Sequence, residues 1–146
     1  MSLREKITLE LVRVLKEIED PRPVLVTREP FAVDKLAITQ FPAILIQSST
    51  ENRETVSQGA PGAGRRTGRI EFSVRGFVRG AELDRRRNDL LEAIEEQLDQ
   101  DRYLGLKSEG VMDTQIRVVE IEERMEPLAE FLITLEVRYT YLRGTV

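Results

Sequence analysis

The chain has no cysteine and no histidine. The first absence excludes disulfides, thiolate nucleophiles and zinc held by cysteine. The second removes the side chain most used for proton transfer near neutral pH, and with it the commonest metal ligand. Chemistry on carboxylates, lysine or tyrosine stays open, but the case for an enzyme weakens. A basic excess is missing too. With 22 basic and 26 acidic residues the net charge is −4, a poor match to the footprint of a nucleic-acid binder. Long apolar runs are also lacking. "AILI" and its like are far too short to cross a bilayer, and "MSLREKITLE" lacks the apolar core of a signal peptide, so the expectation is a protein made and kept in a cytosol, with no membrane partner.

What is present reads as one domain. At 146 residues a chain buries roughly 68–70% of its unfolded surface, enough for a core without staples. Ser2 and Glu5 form an S-x-x-E capping box. Leu3, Ile7, Leu11, Val14, Leu15 and Ile18 then recur at helical spacing, predicting a helix of about four turns that Asp20-Pro21 and Pro23 end. "VLVTRE" (24–29) predicts a short strand. A mixed segment with Leu36, Ile38 and Phe41 leads through Pro42 to the apolar strand "AILIQSS" (43–49).

Residues 70–79 alternate in polarity, with Ile70, Phe72 and Val74 on one face, and Gly76 reads as a bulge or bend. A second helix is predicted over Leu83 to Asp99, its inner face formed by Leu83, Leu90, Leu91, Ile94 and Leu98. "DRYLGLKSEGVMD" (101–113) reads as irregular. A strand follows over Gln115 to Glu122, then a turn around Pro127. The last strand carries Phe131, Ile133, Leu135, Val137, Tyr139 and Tyr141 on one face. The order predicts an α+β fold: a mostly antiparallel sheet, two main helices packed on one face, and a long mobile loop between two core strands. The last strand reads as a long edge that self-assembly would cover.

The loop, residues 50–68, is the oddest stretch. Structureless connections beyond about 12–15 residues are mostly functional or disordered. Its "GAPGAGRRT" (59–67) approaches the phosphate-binding pattern G-x-x-x-x-G-K-[ST]. Arginine stands for lysine, Arg66 displaces Thr67, and a strand follows where a helix is required. A nucleotide-binding α+β domain using this Gly-Arg loop is therefore an alternative reading. The carboxylate runs "EIEE" (120–123) and "EAIEEQLDQD" (92–101) read as solvated faces, and no spacing suggests calcium. Helix two begins with Arg85-Arg86-Arg87 and ends with Asp99 and Asp101, against its macrodipole. Glu82 and Asp84 offset the arginines in part; the sharper reading is that these charges answer to a neighbouring subunit.

Together these pieces resemble the tail terminator (tail completion) proteins of long-tailed bacteriophages. The resemblance rests on "LREKITLELVRVLKEI", on "FPAILIQSSTE" with its closing acid, and on the long loop. It continues through "GRIEFSVRGFVRG", the helix "LDRRRNDLLEAIEEQLDQD", the "RYLGL" turn and the closing "ITLEVRYTYL", so it spans nearly all of the chain. It implies a structural, non-enzymatic protein of the virion tail or neck, assembled in the bacterial cytoplasm, with no cofactor and no metal. It implies a homo-hexameric ring that caps the tail tube, stops its polymerisation and meets a head-side connector or stopper, with a sheath protein as a further partner. DNA would pass through the lumen without specific binding. Another neck or baseplate subunit with the same assembly logic is the near alternative. The residues expected at subunit or tube contacts are Glu51, Arg53, Glu54, Arg65 and Arg66 in the loop, Arg85, Arg86 and Arg87 on helix two, and Glu136 and Arg138 on the last strand.

Overall fold

Ser2 opens the first helix, α1 (Leu3–Lys16), by accepting a hydrogen bond from the Glu5 amide at 3.1 Å. The reciprocal half of the expected capping box is not made. Glu5 instead receives both guanidinium nitrogens of Arg28, at 2.5 and 2.8 Å, tying the helix to the chain after the first strand. The computed structural model describes residues 1–55 and 65–142. After α1 come β1 (Leu25–Thr27), β2 (Ala43–Thr55), β3 (Arg65–Arg79), α2 (Leu83–Asp99), β4 (Val111–Glu122) and β5 (Leu128–Leu142). Short 3-10 turns cover Val33–Lys35, Ile38–Gln40 and Lys107–Glu109.

The five strands form one sheet in the order β1-β2-β3-β5-β4. Only β1 and β2 run parallel; every other pair is antiparallel. The fold is α+β. Helix α1 packs on β1 and β2 and helix α2 on β3 and β5. On this side the core gathers Ile7, Leu11 and Leu15 from α1, and Leu90, Ile94 and Leu98 from α2. Below them lie Ile44, Ile46, Phe72, Val74, Ile133 and Leu135 from the sheet. Among the described residues the opposite face is closed at one end, where Phe31, Val33, Leu36 and Phe41 cover Ala43, Leu45, Phe77 and Leu128. The mixed segment before Pro42 is therefore a lid on a second, smaller core.

Several expected boundaries move. The first helix stops at Lys16 rather than near Asp20, although Ile18 is still buried. The first strand shortens to three residues, and β4 starts four residues early, at Val111. Both ends of the expected 50–68 loop are strand: β2 runs on to Thr55 and β3 begins at Arg65, in register from Glu51–Ile70 to Thr55–Arg66. Backbone pairing overrides the polar, glycine-bearing composition because β5 supplies a partner for β3 along its whole length. The expected mobility of residues 56–64 lies outside the described residues. The last strand is not an edge. β5 sits between β3 and β4, and the long exposed edge is β4.

Gly76 is not a bulge, since it pairs in register with Ile44 and Phe131. A Cβ there would lie 2.2 Å from the Phe131 ring, and one at Gly68 would lie 2.3 Å from the Tyr139 ring. Each glycine leaves room for the aromatic ring directly opposite on β5, so these rings lie flat over β3. The actual irregularity is in β2, where one extra residue enters between Ser48 and Glu51. Gly76→Ala should cost about 1–3 kcal/mol, the usual penalty of overpacking a core that cannot yield. Urea unfolding measures it, and Gly76→Ala with Phe131→Leu should recover part of the loss.

Candidate interaction surfaces

The β2 bulge decides which side chains meet. Alternation places Ile44 and Ile46 on the helix side, and without the extra residue Thr50 and Asn52 would follow them. The one-residue shift turns Glu51 and Arg53 inward instead, because strand side chains change faces with every residue. Glu51 then stands beside Ile70, and Arg53 beside Gly68 and so next to Tyr139.

Three donors converge on the Glu51 carboxylate. The Tyr139 hydroxyl donates to Oε2 at 2.6 Å, Arg53 Nε to Oε2 at 2.5 Å, and Arg4 Nε to Oε1 at 2.9 Å. The carboxylate is mostly covered, with 13% side-chain exposure. Burial pushes its pKa up, but the hydrogen bonds from Tyr139, Arg53 and Arg4 outweigh burial and hold it below the ordinary 4.5. Burial, followed by the bond to Glu51, pushes the Tyr139 hydroxyl up to about 12. Arg53 also lies 5.5 Å from the Tyr141 ring centre, and the Tyr139 and Tyr141 rings are 5.7 Å apart.

This cluster sits at the end of the sheet. Past the row Arg53–Gly68–Tyr139, where β4 begins with Val111, only β2, β3 and β5 continue. They run through Thr55–Arg66–Tyr141 to Arg65–Leu142, a three-stranded tip. Arg66 is half-buried there on the same face as Tyr141. Glu54 pairs with Thr67, and the side chains of Glu54 and Arg65 lie outside the described residues. So the tip brings Glu51, Arg53 and Arg66 together with Arg4, Tyr139 and Tyr141, three residues outside the expected contact set. The inward period of β5 was the available signal for Tyr139. Nothing local announced Arg4, which comes from the far end of the chain.

Each α2 arginine has a polar neighbour within the chain, while Arg85 and Arg86 stay exposed. Arg87 pairs with Asp84 at 2.7 Å, Arg86 Nε donates to the Ala81 carbonyl at 2.6 Å, and Arg85 lies 3.7 Å from Glu82. At the other end of α2, Asp101 accepts from the Tyr103 and Gly105 amides at 2.9 and 2.8 Å. That carboxylate shapes the turn after the helix, which accounts for its place against the macrodipole.

Glu136 and Arg138 lie on the sheet face away from the helices, half-buried and far from the α2 arginines in the chain fold. The ladder sets Glu136 directly against Glu71, and Arg138 against Arg69. Like charges side by side are unfavourable, and none of these four has an ion pair among the described residues. The Nε of Arg138 is buried without an acceptor. Lower on this face Glu130, 1% exposed, accepts from Arg75 at 2.8 Å and from Arg124.

The Gly-Arg stretch does not open a helix, since Arg65 is already strand. Among the described residues no group of acidic side chains is arranged to hold a metal ion, and no helix is long and apolar enough to cross a membrane. A groove of about 970 Å³ runs between the end of α1 and α2, lined by Glu17, Glu19, Asp20, Glu96 and Gln97 among others. It is open and mainly polar. A scan against protein-family models finds no matching family, and a search of curated proteins finds no matching sequence.

The Glu51–Tyr139 pair has opposite signatures in acid and alkali. A carboxyl with a lowered pKa stabilises the fold above about pH 4.5, and that contribution is lost as pH falls through its folded value. A hydroxyl raised from 10.0 to about 12 stabilises fully below pH 10, and its contribution is lost as pH rises towards 12. Tyr139→Phe should therefore flatten the alkaline limb of a stability–pH curve. It should also cost about 1.5–3 kcal/mol at pH 7, typical of a hydrogen bond to a charged group. Thermal unfolding across pH 4–12 tests both.

Proposed function

We propose that this chain is a structural tail-completion subunit of a long-tailed bacteriophage, acting in the virion neck. Copies of it form a ring, expected to be six-fold, that caps the tail tube, ends its polymerisation and offers a surface to the head-side connector. The observation that carries this reading is the three-stranded tip, which presents Arg53, Arg66 and Tyr141 on one face. Arginine and tyrosine are the residue types that dominate interface energetics, through large contact area combined with directional hydrogen bonds. The tip is anchored to α1 through Arg4 and Glu51 at 2.8 Å, so part of the ordering cost of docking is met before a partner arrives.

The function on this reading is assembly rather than catalysis, with no cofactor. A tube rim would meet the tip, and a contractile tail would add sheath protein as a neighbour. Ring formation needs two different surfaces on each subunit, since head-to-tail contacts close only when the rotation allows. The net charge of −4 suits a lumen through which DNA slides without being held.

The test is tail length. Arg53→Ala with Arg66→Ala should leave circular dichroism unchanged, yet tail tubes assembled with this variant should overrun their normal length. Tubes of normal length with a folded variant would rule out the tip as the capping surface. Calorimetric heat from a nucleoside triphosphate would favour the Gly-Arg loop reading instead.

A further inference from the structure

β4 is an edge strand, and no other strand among the described residues pairs with its outer side. Edge strands are usually kept short, charged or bulged. β4 is 12 residues long, and its irregularities fall between Val111 and Asp113 and between Ile116 and Val118. From Val118 to Glu122 it is regular. Val118, Val119 and Ile121 are 46, 37 and 48% exposed. Among the described residues, five of the nine exposed large apolar side chains lie between Met112 and Met125.

The register explains why Val119 and Ile121 are bare. Ile116, Val119 and Ile121 oppose Leu135, Ile133 and Phe131 of β5, all inward-facing, so they extend the helix-side face of the sheet. α2 packs on β3 and β5 and leaves Val119 and Ile121 exposed, while Ile116 is half-buried against the core. A free ladder of amides and carbonyls beside a bare apolar column fits one kind of occupant, an extended strand.

We propose that this strand is β4 of a second copy, paired antiparallel about a two-fold axis at Val119. With the bulged Arg117 set aside, this register places Val119 against its own counterpart and Ile116 against Ile121 of the second copy, twice by symmetry. On the other face Val118, with Arg117 beside it, meets Glu120 of the second copy. Within the chain Glu120 has no ion pair among the described residues, and Arg117 makes only a 3.4 Å contact to Gln115. The neighbouring registers are worse. An axis at Val118 sets Asp113 against Glu122, and an axis at Glu120 sets that carboxylate against itself. Like charges directly opposite destabilise a sheet. Of these three registers only the one at Val119 matches the inner column apolar to apolar with no acid opposite an acid, and it would join the two sheets into one. It is independent of the ring reading, which needs head-to-tail contacts rather than a two-fold one.

Sedimentation of the full chain over a concentration series tests the pairing, with circular dichroism confirming that each variant is folded. Wild type should dimerise, and Val119→Lys, which sets two ammonium groups across the axis, should be monomeric. Arg117→Glu and Glu120→Arg should each weaken dimerisation by about tenfold or more, a cost of about 1.4 kcal/mol, and the double exchange should restore it. The proposal is overturned by a wild type that stays monomeric, by a dimer that survives Val119→Lys, or by a double exchange no tighter than either single one. A six-fold species indifferent to Val119→Lys would also overturn it while leaving the ring reading standing.

Discussion

β3 and β5 pair without a register shift from Arg65–Leu142 to Arg79–Leu128, and the other elements are arranged around that ladder. Two flat-lying rings, Phe131 over Gly76 and Tyr139 over Gly68, lock it near both ends. A slip of one residue would drive both rings into side chains and turn the inner face of β5 outward. Because the central pair cannot yield, the flanking strands absorb the irregularity. β2 does so between Ser48 and Glu51, and β4 at two places. The β2 bulge has the larger consequence, since it converts a polar strand end into the Glu51 cluster.

Two carboxylates sit deep in the structure on opposite faces of the sheet. Glu51 is answered by Tyr139, Arg53 and Arg4, and Glu130 by Arg75 and Arg124. A buried charge is tolerable only when most of its lone pairs are satisfied, and in both places arginine supplies the donors. Much of the arginine content that reads as a free, partner-seeking surface is thus committed inside the subunit. Arg85, Arg86 and Arg87 differ, since their contacts to Glu82, the Ala81 carbonyl and Asp84 lie at the surface. Among the described residues Glu71, Arg69, Glu136 and Arg138 have no ion pair, and the outer side of β4 has no neighbouring strand.

α2 was legible to the residue, because a 17-residue amphipathic pattern has only one way to bury its stripe. The inward face of β5 was equally plain, every second residue from Phe131 to Tyr139 being fully buried. The ends of β2 and β3 were not legible. Thr50–Thr55 and Arg65–Arg69 carry no apolar alternation, and they are strands because β5 holds β3, which in turn holds β2. The candidate site was half legible. Glu51, Arg53 and Arg66 were in view, but not the hydroxyl and the α1 arginine that meet there.

By itself the sequence determined the α+β class, the two helices and the faces they bury, since these follow from periodicity within single elements. Which strand became the edge was decided by tertiary structure alone. β5 has the pattern of a strand half-exposed on one face, and that pattern is the same whether its backbone has one neighbour or two. Only the chain order through the sheet placed β5 inside and left β4, with Val119 and Ile121, outside. Hydrogen-bond partners along a ladder are chosen between distant segments, and periodicity within one segment carries no record of that choice.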